Sequence, residues 1–220
     1  MAEGRDLQLV DRLERLFTAV VSDCLDAIGI RSNVLQPHVR PLFPEARTAG
    51  FAATARCVEV DRVPEREEDL YRGLLETVDR LRAGDVLVVS RSRAAVWGEL
   101  LATAAAYRGA RGVVADAYAR DTRALIEMRF PVFVAGISCQ DALGRVEVEE
   151  IGVPVECGGV RVEPGDLVLA DHDGVVVVPA GVAPEVVARA EEKASGESLV
   201  RRRLAAGMSV AEAFRTYGVI

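Results

Sequence analysis

Three short apolar runs dominate the middle of the chain: Val86-Leu87-Val88-Val89, Val113-Val114-Ala115 and Val132-Phe133-Val134-Ala135. Stretches of helical periodicity separate them, read as helices over 70–81, 96–107 and 122–128. This alternation constrains the fold more than any other feature. Apolar runs without polar alternation read as strands buried on both faces. Strand, helix and strand in regular succession argue for a βαβ core with a parallel sheet. Gly84 and the Arg108-Gly109-Ala110-Arg111-Gly112 segment supply the stops between elements.

The flanking segments read differently. Leu7, Leu9, Val10, Leu13, Leu16, Phe17, Val20 and Val21 recur at helical spacing, so 7–28 is expected to be helical. A break near Thr18 would leave a second helix, with Ser22 or Asp23 as its N-cap and Gly29 as its stop. Residues 31–48 hold Pro37, Pro41 and Pro44 and read as a structured loop. Gly50 to Val60 reads as a strand, and Glu65-Arg66-Glu67-Glu68-Asp69 as a solvated loop leading into a helix. After Ala135 the pattern changes. Pro154 to Val162 reads as a hairpin around Gly158-Gly159, and Leu167-Val168-Leu169-Ala170 faces Val175-Val176-Val177-Val178 across Asp171-His172-Asp173-Gly174. The back half is therefore expected to be antiparallel. A helical arm over 184–220 closes what reads as a single domain over 1–220.

Composition excludes several classes of function. With 220 residues and half of them hydrophobic, one full core is affordable. The net charge is −7 and Lys193 is the only lysine, so a basic nucleic-acid face is not expected. Cys24, Cys57, Cys139 and Cys157 are widely spaced, which suits reduced thiols better than a zinc site. No apolar run reaches the roughly 18 residues that span a bilayer. The polar N-terminus has no apolar core of a signal peptide, so a cytoplasmic location is expected.

The chemistry-bearing residues concentrate between Gly98 and Asp121. Gly98-Glu99-Leu100-Leu101 stands at a helix start, where free N–H groups carry partial positive charge and can hold a carboxylate. Glu99 there also has a plain structural role, offsetting the helix dipole. Arg120-Asp121 follows a strand, where sites in α/β sheets gather. Arginine holds carboxylates bidentately, and aspartate is a hard oxygen ligand suited to Mg2+. Asp121 is equally suited to cap the helix after it, and Asp116 to serve as a turn residue or as an acceptor for Arg120. Asp23 and Asp26 share one helical face. His38 and His172 are the only histidines. Neither stands in a pattern that suggests a triad or a zinc site.

At Gly98-Glu99-Leu100-Leu101-Ala102, Gly109-Ala110-Arg111-Gly112-Val113-Val114 and Asp116-x-x-x-Arg120-Asp121 the chain resembles the RraA-like family. That family includes class II 4-hydroxy-4-methyl-2-oxoglutarate/4-carboxy-4-hydroxy-2-oxoadipate aldolases. The resemblance extends to Ser22-Asp23-Cys24-Leu25-Asp26, to Gly50–Thr54 and to Val160–Pro179. The family signature is an acid, twenty intervening residues, then Arg-Asp, which Glu99 and Arg120-Asp121 match. Glu99 replaces the aspartate of the founding aldolases, and Ala117 stands where glycine is usual. The resemblance implies a swivelling β/β/α fold with a mixed sheet, assembled as a homotrimer or a hexamer. It implies Mg2+ or Mn2+ held directly by Asp121 and through water by Glu99. It implies that Arg120 stabilises a pyruvate enolate, and that amides of Gly98, Glu99, Leu100 and Leu101 hold the carboxylate of a 2-oxo acid substrate. Asp23 and Glu197 would come from an adjacent subunit. The implied activity is pyruvate-forming cleavage of 4-hydroxy-2-oxo acids, with oxaloacetate decarboxylation through the same enolate. Some family members are instead non-catalytic regulators that inhibit ribonuclease E. A methyltransferase of menaquinone synthesis, a label such sequences carry, would need a glycine-rich Rossmann loop that is not present. The single lysine lies in the tail, which argues against a Schiff-base aldolase.

Overall fold

A computed structural model describes residues 5–218. The elements in chain order are α1 (Leu7–Glu14), α2 (Thr18–Ala27), β1 (Arg40–Pro41), β2 (Thr48–Glu59), α3 (Arg72–Asp79), β3 (Asp85–Val89), β4 (Ala95–Trp97), α4 (Glu99–Tyr107), β5 (Gly112–Ala119), α5 (Thr122–Glu127), β6 (Val132–Ile137), β7 (Val146–Ile151), β8 (Val155–Cys157), β9 (Val160–Val162), β10 (Leu167–Ala170), β11 (Val175–Val178), α6 (Ala183–Ala205) and α7 (Val210–Tyr217).

Nine strands form one mixed sheet in the order β1-β6-β5-β3-β2-β10-β11, with β4 beside the end of β5 and β7 beside the end of β2. The three apolar runs are its parallel centre: β3 pairs with β5, and β5 with β6. All five residues of β3 are buried. Its side chains alternate between cores, Leu87 and Val89 toward α3–α5, Val86 and Val88 toward the opposite layer. That opposite layer is the separate β8–β9 hairpin and the loop around Leu35, Val39 and Phe43. A further core lies between β10–β11 and helices α1, α2 and α6. The result is a β layer, a sheet and helices, the β/β/α arrangement that the resemblance implies.

The hairpins expected in the back half are present. The β10–β11 pairing runs from Leu167 opposite Val178 to Ala170 opposite Val175. The back half is not a separate antiparallel piece, however, because β10 also pairs with β2 and joins the main sheet. The strand β7 was not expected from Val146-Glu147-Val148-Glu149-Glu150-Ile151. Its carboxylates ride on the outer half of β2, where Arg56 pairs with Glu149 and Glu150.

Four local expectations need correction. The break expected near Thr18 is present and leaves two helices, but neither Ser22 nor Asp23 caps the second. Its first amide, Thr18 N, is held at 2.9 Å by Asp171 Oδ2, a residue of the β10–β11 turn. The helix expected over 96–107 begins at Glu99, because Ala95 and Trp97 pair with β5. The loop expected over 117–121 is mostly strand, since β5 runs to Ala119 and Ala117 is buried in the core. The 31–48 loop contains β1, which pairs with β6. The helical arm packs on its own domain through Val186, Val187 and Ala190, with Arg12 forked onto Glu191 at 2.9 and 2.6 Å. Residues 219 and 220 of that arm lie outside the described residues. Among the described residues, no helix is long and apolar enough to cross a membrane.

Candidate functional site

The site follows from two neighbouring parallel strands that each end in a helix. Trp97 lies opposite Ala119, and Arg120 N donates to Trp97 O at 2.9 Å. The β4–α4 and β5–α5 junctions are therefore held side by side. Carboxyl ends of parallel strands are where α/β sheets place their sites. Here that geometry brings Gly98 and Glu99 against Arg120 and Asp121.

Asp121 occupies the cap position of α5 but makes no cap bond with its side chain. Its backbone is left-handed, φ 54, which turns the carboxylate toward α4 instead. Asp121 Oδ2 lies 3.4 Å from Glu99 N. Gly98 makes this approach possible: a Cβ built there would stand 2.7 Å from Asp121 Oδ2. The backbone of Gly98 is extended, so space rather than conformation requires glycine. The amides of Leu100 and Leu101 belong to the first turn of α4, whose N–H groups have no partner within the helix.

A hollow of about 230 Å³ opens beside this junction. Arg120, Asp121, Gly98, Leu100 and Leu101 line it, together with Tyr71 and Asp141. Trp97, whose buried indole Nε1 lacks a hydrogen-bond partner, also contributes to the wall. Glu99 faces an adjoining open hollow that shares Asp121 and includes Glu127. Glu127 is engaged by Arg123 at 2.9 Å, and Glu99 accepts from Thr103 Oγ1 at 3.1 Å. Asp121 thus sits between the two hollows.

Arg120 is oriented by Asp141 and not by Asp116. Its Nη1 lies 3.0 Å from Asp141 Oδ1, while its Nε is 3.9 Å from Asp121 Oδ2. The other oxygen of Asp141 accepts the phenol of Tyr71, and this bond raises the pKa of the Tyr71 hydroxyl. Tyr71 is itself left-handed, φ 57. Two of the three described non-glycine residues with positive φ therefore border one hollow, where backbone strain commonly marks function. Asp116 lies within β5 and accepts from His38 Nε2 at 2.8 Å and from Gly158 N at 3.3 Å. It ties the 31–48 loop and the β8–β9 hairpin to the sheet.

Asp23 and Glu197 come together elsewhere. Both flank Lys193 of α6, at 2.5 and 4.0 Å, and neither lines the Arg120 hollow. Asp141 and Tyr71 were not anticipated. Asp141 follows a strand, the one signal that could have raised it. Tyr71 falls inside the amphipathic helix expected over 70–81, which in fact starts at Arg72.

Among the described residues, no group of three or more His, Cys, Asp or Glu side chains could enclose a metal ion. The donor set at the junction is of another kind: two hard carboxylates, Asp121 and Glu99, on one open hollow. That set fits a divalent cation such as Mg2+, which keeps several waters and takes one or two protein carboxylates.

Comparisons with known proteins agree with this architecture. A protein of Halalkalibacterium halodurans that carries the provisional name 4-hydroxy-4-methyl-2-oxoglutarate aldolase is 26% identical over 212 residues, 95% of this chain and 94% of its own. A solved structure of an uncharacterised protein from Pseudomonas syringae pv. tomato superposes with a TM-score of 0.84 at 31% identity, covering 96% of this chain and 94% of that one. Streptomyces coelicolor RraAS2, described as an unusual member of the RNase ES inhibitor RraA protein family, superposes with a TM-score of 0.80 at 30% identity, covering 90% and 98%. The model of the RraA-like family, described as Aldolase/RraA, matches residues 18–177, and the chain belongs to that family.

Proposed function

We propose that this protein is a divalent-metal-dependent lyase that cleaves 4-hydroxy-2-oxo acids to pyruvate and a second carbonyl compound. 4-Hydroxy-4-methyl-2-oxoglutarate, which appears in the names of relatives, belongs to that substrate class. The observation that carries the reading is the convergence of Arg120, Asp121 and the α4 N-terminus around one small hollow.

In the proposed reaction the C3–C4 bond breaks. The C4 hydroxyl loses its proton and becomes a carbonyl, and the electron pair passes to C3 and the C2 oxygen as an enolate. C3 then takes up a proton to give pyruvate. Oxaloacetate follows the same course, with carbon dioxide as the leaving fragment. Asp121 would ligate Mg2+ or Mn2+ directly, and Glu99 would hold its waters. When bound, the cation supplies Lewis-acid stabilisation of negative charge on the 2-oxo group. The side chain of Arg120 stabilises the same charge as it develops, the point at which fixed donors accelerate such reactions most. The amides at Leu100 and Leu101 bind the substrate carboxylate. Asp141 keeps the guanidinium of Arg120 from swinging into solvent.

The test is pyruvate release from oxaloacetate with and without Mg2+, compared with Asp121→Asn and Asp121→Ala. Asparagine tolerates a left-handed backbone, so it removes charge while preserving the turn. Loss of turnover in both variants, with an unchanged melting temperature in Asp121→Asn, is expected. Turnover without metal, or retained in Asp121→Asn, refutes the reading. The likeness to RraAS2 favours one other reading, a non-catalytic regulator that binds ribonuclease E or another protein. The absence of any metal-dependent turnover would favour that reading.

A further inference from the structure

We infer that the hollow beyond Arg120 selects 2-oxo acids whose tail past C4 is uncharged and apolar, and that Asp141 is the residue that rejects a second carboxylate there. The inference rests on the pyruvate-forming reading and narrows its substrate class.

The walls away from the junction are hydrocarbon. Leu74 and Leu75 of α3, Leu101 of α4 and Ala142 line that side. Arg120 is the only cation among the lining residues, and Asp141 already engages its Nη1 at 3.0 Å. Arg145, close by in sequence, donates to the backbone carbonyls of Asp141 and Leu143 at 3.2 and 3.3 Å. The phenol of Tyr71 is also committed, to the second oxygen of Asp141. A carboxylate on the substrate tail would therefore find no free donor among these groups.

Charge balance leads to the same place. Arg120, Asp121, Asp141 and Glu99 together carry two net negative charges, which a divalent cation on Asp121 balances. A 2-oxo monoacid then adds one negative charge. A second carboxylate past C4 adds another beside Asp141, in a hollow walled largely by hydrocarbon, where like charges are costly. The volume of about 230 Å³ lies below the roughly 300–1,000 Å³ usual for ligand sites, which favours a short tail. Oxaloacetate is not excluded, because its second carboxylate is C4 itself, at the bond that breaks. 4-Hydroxy-4-methyl-2-oxoglutarate, with a carboxylate past C4, falls among the poorer substrates.

Calorimetric titration in Mg2+ with 2-oxohexanoate and 2-oxoadipate tests this directly, since the pair matches in length and differs in the terminal carboxylate. The wild-type protein is expected to bind 2-oxohexanoate at least about tenfold more tightly. Asp141→Asn should bring the ratio toward one by tightening 2-oxoadipate. Leu75→Arg, at a half-exposed position of the wall, should do the same by adding a cation and guards against a misfolded Asp141 variant. Equal binding of the two acids by the wild type, or a ratio unmoved in either folded variant, overturns the inference. Pyruvate release from oxaloacetate is read separately. Turnover combined with equal binding sinks the specificity alone. Preference for 2-oxohexanoate without turnover sustains the specificity and sinks the catalytic reading. Binding of neither acid overturns the specificity, whatever the turnover.

Discussion

Replacing Gly98 with alanine adds one methyl group at the centre of the site and almost nowhere else. A Cβ at this position would lie 2.7 Å from Asp121 Oδ2, and 3.4 and 3.6 Å from Arg120 Cγ and Nε. Ordinary contact begins at 3.4 Å, so the carboxylate must retreat by about 0.7 Å. Asp121 is half exposed and has room to do so. The retreat takes it from Glu99 N and from the position in which it would ligate a cation. Misplacement by about 1 Å can cost roughly a hundredfold in rate, so a loss of about 10- to 100-fold in kcat/KM is expected. Stability should hardly change. The backbone at 98, φ −154 and ψ −178, is open to any residue. Alanine stabilises by restricting the unfolded chain, about 0.4–1 kcal/mol, and loses a similar amount as a poorer N-cap than glycine. A net change within about 1 kcal/mol shifts Tm by no more than roughly 4 °C in a chain of this size. Coupled pyruvate detection gives kcat/KM, Mn2+ titration gives metal affinity, and thermal melting gives Tm. Wild-type kcat/KM and Mn2+ affinity in Gly98→Ala would refute the reasoning, and so would a fall in activity that merely tracks a collapse in Tm.

Two further predictions concern the fold. Asp171→Ala strips the acceptor from Thr18 N, Thr18 Oγ1 and Asp173 N, at 2.9, 2.7 and 3.0 Å, leaving the two buried donors of Thr18 unpaired. A loss of about 2–3 kcal/mol is expected, a fall in Tm of roughly 4–12 °C, with kcat/KM unchanged below the new transition. Burial pushes the Cys57 and Cys157 thiols from 9.0 up to about 12, so the folded protein keeps protons that the unfolded chain releases. Their contribution is fully present below pH 9 and is lost as pH rises toward 12. Urea unfolding under reducing conditions should therefore show stability falling by up to about 1.4 kcal/mol per pH unit for each thiol, with a shallower fall in a Cys57→Ala/Cys157→Ala variant.

The central sheet was legible because its signals are local. Uninterrupted valine runs declare strands buried on both faces, and the intervening helices dictate parallel pairing. The elements that escaped depend on distant partners. Val146–Ile151 alternates carboxylates with apolar residues and becomes a strand only because the outer half of β2 offers a free edge. Ala95–Trp97 continues the helical periodicity after it, yet the exposed end of β5 takes it as a strand. Thr18 needs no capping residue nearby, because Asp171 reaches it from a turn 153 residues away.

The site divides along the same line. Gly98, Glu99, Arg120 and Asp121 were visible because each stands at the end of a recognisable strand or the start of a recognisable helix. Adjacent strands then bring those ends together without further instruction. Asp141 and Tyr71 belong to a different kind of contribution. Their side chains matter only through Arg120, which neither neighbours in sequence, and no spacing rule links 71, 120 and 141. Ala95 bridges to Asp141 in parallel register, so the strand that delivers Gly98 also fixes where Asp141 stands. The same short strand thus sets both the space in which Asp121 can turn and the carboxylate that holds Arg120. The cation of the Arg-Asp pair is consequently never free of a protein anion, and a substrate must compete with Asp141 for it. A ligand with a single carboxylate and an uncharged tail brings one charge to this hollow, whereas a dicarboxylate brings a second one and finds no cation in the lining other than Arg120.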